Sequence, residues 1–255
     1  MFFSLKQGVY AAQCDLNVIL LDANKDKYFS ISTEVGTILL KILTTEFDCR
    51  NGIYISLSEP ELEESGLNYW VKYFTEAEFI EPGEAKRVIT QFPSSLVPGG
   101  LSGYEWDRKD RLISVLKISP LLIVRLLWVL MKVDFTLRRK GISGILSLLK
   151  KLSLKQSFHN PDQVKVDYLS DALDAACTLY PKKMYCLSWA AAFTLVALKK
   201  GWRCSLVIGA QSPPFYAHAW AEINGTVIND KKIIQERLAI FFKEPFNEDL
   251  LKKSY

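Results

Sequence analysis

Residues 217–230, Ala217-His218-Ala219-Trp220-Ala221-Glu222-Ile223-Asn224-Gly225-Thr226-Val227-Ile228-Asn229-Asp230, read as two short strands joined at an Asn-Gly turn. A histidine sits among small and apolar residues in the first strand, and an aspartate closes the second. The turn can be formed in two ways. A two-residue primed turn pairs Ile223 with Thr226, which sets Asp230 opposite Ala219 and on the other face from His218. A type I turn with Gly225 in the left-handed position adds one residue, a G1 bulge. Glu222 then pairs with Thr226, and His218 lies directly across from Asp230 with Cβ atoms ~5 Å apart. The bulged register is the one expected here, with Asp230 holding Nδ1–H of His218 and Nε2 left to face a nucleophile. The plainer alternative is that Asp230 merely ends the strand beside Lys231-Lys232.

Upstream of this hairpin the pattern is regular. Val166–Leu179 reads as a helix closed by Pro181. Cys186–Lys200 reads as a second helix, with Gly201 at the position that ends it. Arg203–Ala210 is a strand, and Gln211–Tyr216, with Pro213-Pro214, a loop. Helix, strand and hairpin describe an α+β domain over 161–255. Cys186 falls in the first turn of its helix, where unpaired backbone N–H groups and the helix dipole favour a thiolate. The same N–H groups point toward an oxyanion on an attacked carbonyl. A cysteine at a helix start is more often a small core residue; the histidine and aspartate downstream are what make Cys186, His218 and Asp230 a candidate catalytic triad. Cys14, Cys49, Cys177 and Cys204 have no histidine in a comparable local arrangement. Asp167, Asp171 and Asp174 share one helix surface and read as solvated.

The whole chain limits the alternatives. Its 255 residues suit one large domain or two small ones, and 49% of them are hydrophobic. The net charge of +4 is unevenly spread. Residues 1–85 carry 6 Lys+Arg against 14 Asp+Glu, residues 86–160 carry 14 against 4, and residues 161–255 carry 12 against 10. An acidic head favours a basic partner. Five cysteines without a CxxC pair, and a first stretch lacking the charge and apolar run of a secretory signal, fit reduced thiols and a cytoplasmic location. Two histidines and no cysteine pair argue against a zinc site, so no metal and no cofactor is expected. No Walker loop or GxGxxG is present, and nucleic acid is not an expected partner.

The head, 1–84, reads as strands followed by helices. Val9–Ala12, Val18–Asp22 and Lys27–Ser32 are strands. Ser32 or Thr33 caps a helix through Ile38–Leu43. A second helix starts near Glu61 and puts Leu67, Trp70, Val71 and Phe74 on one face. Residues 47–58 do not read as a helix. Residues 85–104, rich in Pro and Gly, read as a linker, and 105–160 as a helical basic and apolar connector. Within it, 112–133 approaches the length of a membrane span, but Lys117, Pro120 and Arg125 interrupt it. A buried or docking helix fits better, with weak association of 112–155 with an anionic membrane surface as a further reading.

The residues Cys186-Leu187-Ser188, Ile208-Gly209, Ala217 to Glu222 and Val227 to Asp230 resemble the transglutaminase-like leader peptidases of lasso-peptide biosynthesis, the B proteins of microcin-type clusters. The resemblance covers roughly 166–232 and includes the spacings of 32 residues from cysteine to histidine and 12 from histidine to aspartate. The head, with LLDANKDKYFSIS before its first helix, resembles the PqqD-like winged-helix domain that recognises leader peptides. Together these imply an N-terminal winged-helix domain, a helical connector, and a C-terminal papain- or transglutaminase-like cysteine peptidase. The resemblance further implies strand addition of a leader along Lys27, Tyr28, Phe29, Ser30 and Ile31, with side chains entering a groove against Leu67, Trp70, Val71 and Phe74. It implies cleavage at the leader–core junction by Cys186, His218 and Asp230, and hand-over of the core to an ATP-dependent cyclase as partner. Acyl transfer and an inactive leader-binding scaffold are the competing readings.

Overall fold

Short alternating runs give the first part of the chain its sheets. Phe2–Leu5 (β1), Val9–Cys14 (β2), Asn17–Asp22 (β3) and Lys27–Ser32 (β4) come in succession. The computed structural model describes residues 1–15, 17–50, 53–57, 64–83, 91–97, 99–101, 118–154 and 157–246. These fall into two units, Met1–Ser94 and Ser95–Tyr255.

In the first unit β2, β3 and β4 form an antiparallel sheet in that order, with Val9 opposite Asp22 and Asn17 opposite Ser32. Helix α1 (Thr33–Thr44) follows, and the Ser32 hydroxyl accepts from the Val35 amide at its start. Such a cap contributes about 1 kcal/mol. Residues 47–58, which do not read as a helix, contain a hairpin of Phe47–Arg50 (β5) and Ile53–Ser56 (β6). Helix α2 (Glu64–Glu76) comes next, and Ile80–Gly83 (β7) returns to pair antiparallel with β1. Pro82 and Gly83 therefore sit in a strand that the composition of this stretch conceals.

Phe3, Leu20, Leu39, Leu43, Val71 and Phe74 build the core of this unit. Val71 and Phe74 are fully buried and Leu67 nearly so, while Trp70 is only half-buried against that core. The reading of all four as groove residues is thereby corrected: the i, i+3, i+4, i+7 spacing marks the buried face of α2, and three of the four are core. Strand β4 pairs with β3 alone among the described residues, and its Phe29 packs edge-on against Phe79 at 5.0 Å.

The second unit begins with a strap in which the Leu101 amide donates to Gln211 Oε1 (2.5 Å) and Gln211 Nε2 donates back to Leu101 O (3.0 Å). Of the stretches read as linker and connector, 85–90, 98, 102–117 and 155–156 lie outside the described residues. Helix α3 (Pro120–Ser153) starts with Pro120 at its first turn, where proline needs no amide partner. The proline read as an interruption is thus an initiator. Gly141 (φ 58°, ψ −159°) breaks the helical path and bends it, a backbone conformation open to glycine. No described helix is long and apolar enough to cross a membrane.

α3 packs against α4 (Gln163–Leu179) and α5 (Cys186–Lys199). The expected connector thus belongs to the unit that carries the candidate site. Beyond α5, Cys204–Gln211 (β8), Tyr216–Ile223 (β9), Thr226–Ile228 (β10) and Ala239–Glu244 (β11) form an antiparallel sheet in the order β10-β9-β8-β11, with a short α6 (Ile234–Arg237) before β11. α5 lies on this sheet against β8 and β9. Its residues 189–195 are all buried, so the Cys186 end of the helix is held firmly over β9.

Candidate active site

The Asn224-Gly225 turn has positive φ at both residues, 51° and 78°, and pairs Ile223 with Thr226, Val227 with Glu222 and Ile228 with Ala221. This is the two-residue primed turn, so the expected bulged register is corrected. Two left-handed residues match the twist of the flanking strands, and Asn and Gly both tolerate that conformation. If β10 continued straight, Asp230 would face away from His218. It does not continue. The strand ends at Ile228, Asn229 adopts φ 55°, and the chain turns out of the ladder. Asp230 thereby reaches His218 through a left-handed corner.

His218 Nε2 lies 2.6 Å from Asp230 Oδ2. An ionised carboxylate only accepts, so the ring proton sits on Nε2 and Nδ1 is the nitrogen left for the thiol. The two ring nitrogens thus hold the opposite roles to those expected. The side chains of His218 and Asp230 are almost wholly buried, and the Lys231 amide donates to Asp230 Oδ1 (2.7 Å). On the same face of β9, Tyr216 and Trp220 stack on either side of His218, with ring centroids 6.0 and 6.1 Å away. Trp220 is itself fixed by donating Nε1–H to the buried Glu222 (2.8 Å), which also pairs with Lys243. The imidazole is therefore clamped in its plane as well as at its edge.

Cys186 is the first residue of α5, and it faces His218. Burial pushes its thiol up. The hydrogen bond and charge of His218, with the Ala219 and Leu187 amides, outweigh that and hold it below the usual thiol range. Burial pulls His218 down, but Asp230 and Cys186 carry it up to about 9. A thiolate–imidazolium pair is what these shifts favour. Cys14 and Cys204 behave oppositely: burial pushes each thiol up to about 12. Tyr216 is also raised to about 12, by burial and then by the charges of Cys186 and Asp230, so its hydroxyl stays protonated beside the pair.

Asp174, read as solvated, is buried in α4 and joins two parts of the site. It accepts from Trp189 Nε1 (2.8 Å), one turn along α5 from Cys186, and from Asn229 Nδ2 (3.3 and 3.2 Å), the residue that turns Asp230 inward. The apolar Ala172, Leu173, Ala175 and Ala176 around it are the sequence signal that it faces inward. Among the described residues no cluster of three His, Cys, Asp or Glu side chains is placed to hold a metal ion. None of the five cysteines is in a disulfide.

Residues 129–241 match the model of a family described as the transglutaminase-like superfamily. Over 107 residues the chain is 25% identical to the Escherichia coli protein named microcin J25-processing protein McjB. That stretch is 42% of this chain and 50% of the relative, so the chain spans about half the length of the curated relative it matches. No solved structure matches the chain. Cys186, His218 and Asp230 all lie within the matched family segment.

Proposed function

With a transglutaminase-like domain at 129–241 and a resemblance to lasso-peptide biosynthesis B proteins supported by both matches, we propose that the protein is a leader peptidase acting on a ribosomally made precursor. The observation that carries this reading is the Cys186–His218–Asp230 arrangement, in which a lowered thiol meets an imidazole held by a carboxylate at 2.6 Å. The Cys186 thiolate attacks the carbonyl at the leader–core junction. Imidazolium Nδ1–H protonates the leaving amine, and the neutral ring then activates the water that releases the acyl-enzyme. Asp230 keeps the proton on Nε2 throughout. The backbone N–H groups at the start of α5 are the proposed oxyanion donors.

The first unit is proposed as a PqqD-like leader-recognition domain acting through β4. Lys27, Tyr28, Phe29, Ser30 and Ile31 offer an edge for strand addition, and Trp70 is the member of the α2 face exposed enough for contact. Holding the leader raises the local concentration of the junction at Cys186. An ATP-dependent cyclase is the proposed recipient of the core, and the cytoplasm the proposed site of action.

Incubation of the purified protein with its precursor, read by mass spectrometry, tests the reading. Two fragments that sum to the precursor plus one water are expected, and none with Cys186→Ala. Continued cleavage by Cys186→Ala would leave the arrangement without a catalytic role. The transglutaminase-like match also favours acyl transfer as a second reading. In the presence of a primary amine, an amine-adducted leader in place of a free acid would establish that instead.

A further inference from the structure

The first half of α3 has two apolar faces. One, Ile123, Leu126, Leu130 and Val133, is buried. The other, Leu121, Val124, Trp128, Met131 and Phe135, is exposed, with Trp128 at 66% and Phe135 at 56%. The exposed residues follow spacings of three, four, three and four. That is the a/d pattern of a coiled-coil seam, running about 21 Å along the helix. Taking Leu121 as a, the e positions are Arg125, Lys132 and Arg139, a cation at each heptad, all exposed. Arg139 lies over the Phe135 ring at 4.9 Å, so the row of charge borders the seam directly. Trp128, Met131 and Phe135 of this seam, with Arg125 and Lys132, also line a groove of about 820 Å3 between α3 and α5, to which Lys199 and Lys200 add two more cations.

We propose that this seam docks a helix of another polypeptide whose own apolar a/d stripe is flanked by acidic residues. Charge complementarity selects that occupant. A second copy lying antiparallel would set the Arg125–Lys132–Arg139 row against itself. A parallel copy would offer it Asp134, whose carboxylate is already engaged by Arg138 (3.0 Å) and Lys182 (3.2 Å). A helix lying on an anionic bilayer carries cations along both borders of a broad apolar face. Here Arg125, Lys132 and Arg139 follow one border of a narrow seam that opens into a concave groove. The surface lies on α3, away from the residues assigned to cleavage, and does not depend on that assignment.

The test uses the full chain and labelled helical peptides of about three heptads with leucine at a and d, flanked by glutamate in one peptide and lysine in the other. The wild type is expected to bind the glutamate peptide at least tenfold more tightly than the lysine peptide. R125E/K132E should reverse that order, and Trp128→Ser should lose at least tenfold toward whichever peptide is preferred. Cleavage of a short peptide spanning the junction, or the far-UV circular dichroism spectrum if cleavage is not observed, should be unchanged in these variants. Equal affinity for both peptides, or preference unmoved by R125E/K132E, would overturn the proposal. So would Trp128-dependent binding to phosphatidylglycerol vesicles without peptide binding, or a dimer in sedimentation that Trp128→Ser dissolves.

Discussion

His218 is held by Asp230 at Nε2 and coupled to the Cys186 thiol, and its pH behaviour follows from both. Cleavage is expected to fall as pH drops through the Cys186 pKa, which lies below the ordinary thiol range. It should fall again as pH rises through about 9, where the raised His218 pKa means the ring loses its proton. Asp230→Asn removes the anion that holds that proton. The alkaline limb of a kcat/KM profile should move down and the rate drop by about 10²–10⁴-fold. Asp174 acts one step removed, through the Asn229 corner. Asp174→Asn sets donor against donor there, and an unsatisfied buried group costs about 1–3 kcal/mol. A fall in kcat with KM little changed is expected, with partial recovery in the Asp174→Asn, Asn229→Asp double variant, which restores a carboxylate–amide pair. A variant that loses stability and activity together without such rescue would give Asp174 a purely structural role. The three residues of the candidate triad were legible because a helix start and a histidine strand have plain patterns. The roles of the two ring nitrogens were not, because they depend on which side of the ring the chain brings the acid.

At the scale of elements, strand and helix positions read well where alternation or a cap marked them. Lys27–Ser32 and the start of α5 are read at their observed bounds. The hairpin register did not read, since Asn-Gly serves both turn types and a strand ending in a left-handed asparagine leaves no periodic trace. β1, β7 and β11 were missed for a related reason: short strands acquire their identity from distant partners, not from local pattern. Close contact between elements also yields a prediction. Gly209 in β8 stands opposite His218, and a Cβ there would meet Leu238, Ala239 O and the Trp220 ring at 3.0–3.1 Å. Gly209→Val should destabilise the protein by about 1–3 kcal/mol in thermal or denaturant unfolding. It should also shift the Trp220 ring that stacks on His218, lowering cleavage beyond the loss of folded protein.

For the molecule as a whole, the proposed division of labour between the two units predicts a separable kinetic effect. A proline in β4 that removes an outward-facing amide should raise KM for the full precursor at least tenfold with kcat nearly unchanged. A short peptide covering only the junction should be cut equally well by variant and wild type. Loss of rate on both substrates would remove leader recognition from β4.

The carboxylate of the site is aimed by a corner, with the strand before it serving only as an approach. Asn229 and Asp174 fix that corner from the helical side, while the solvent-facing tip at Asn224-Gly225 is tied separately, Gln235 donating both to Gly225 O and to the Glu222 carboxylate that holds Trp220. Residues added at the tip would leave the Asn229 corner on Asp174 but disturb the Gln235–Glu222 contact behind the Trp220 ring. One register slip in β10, by contrast, would pull the corner off its anchor.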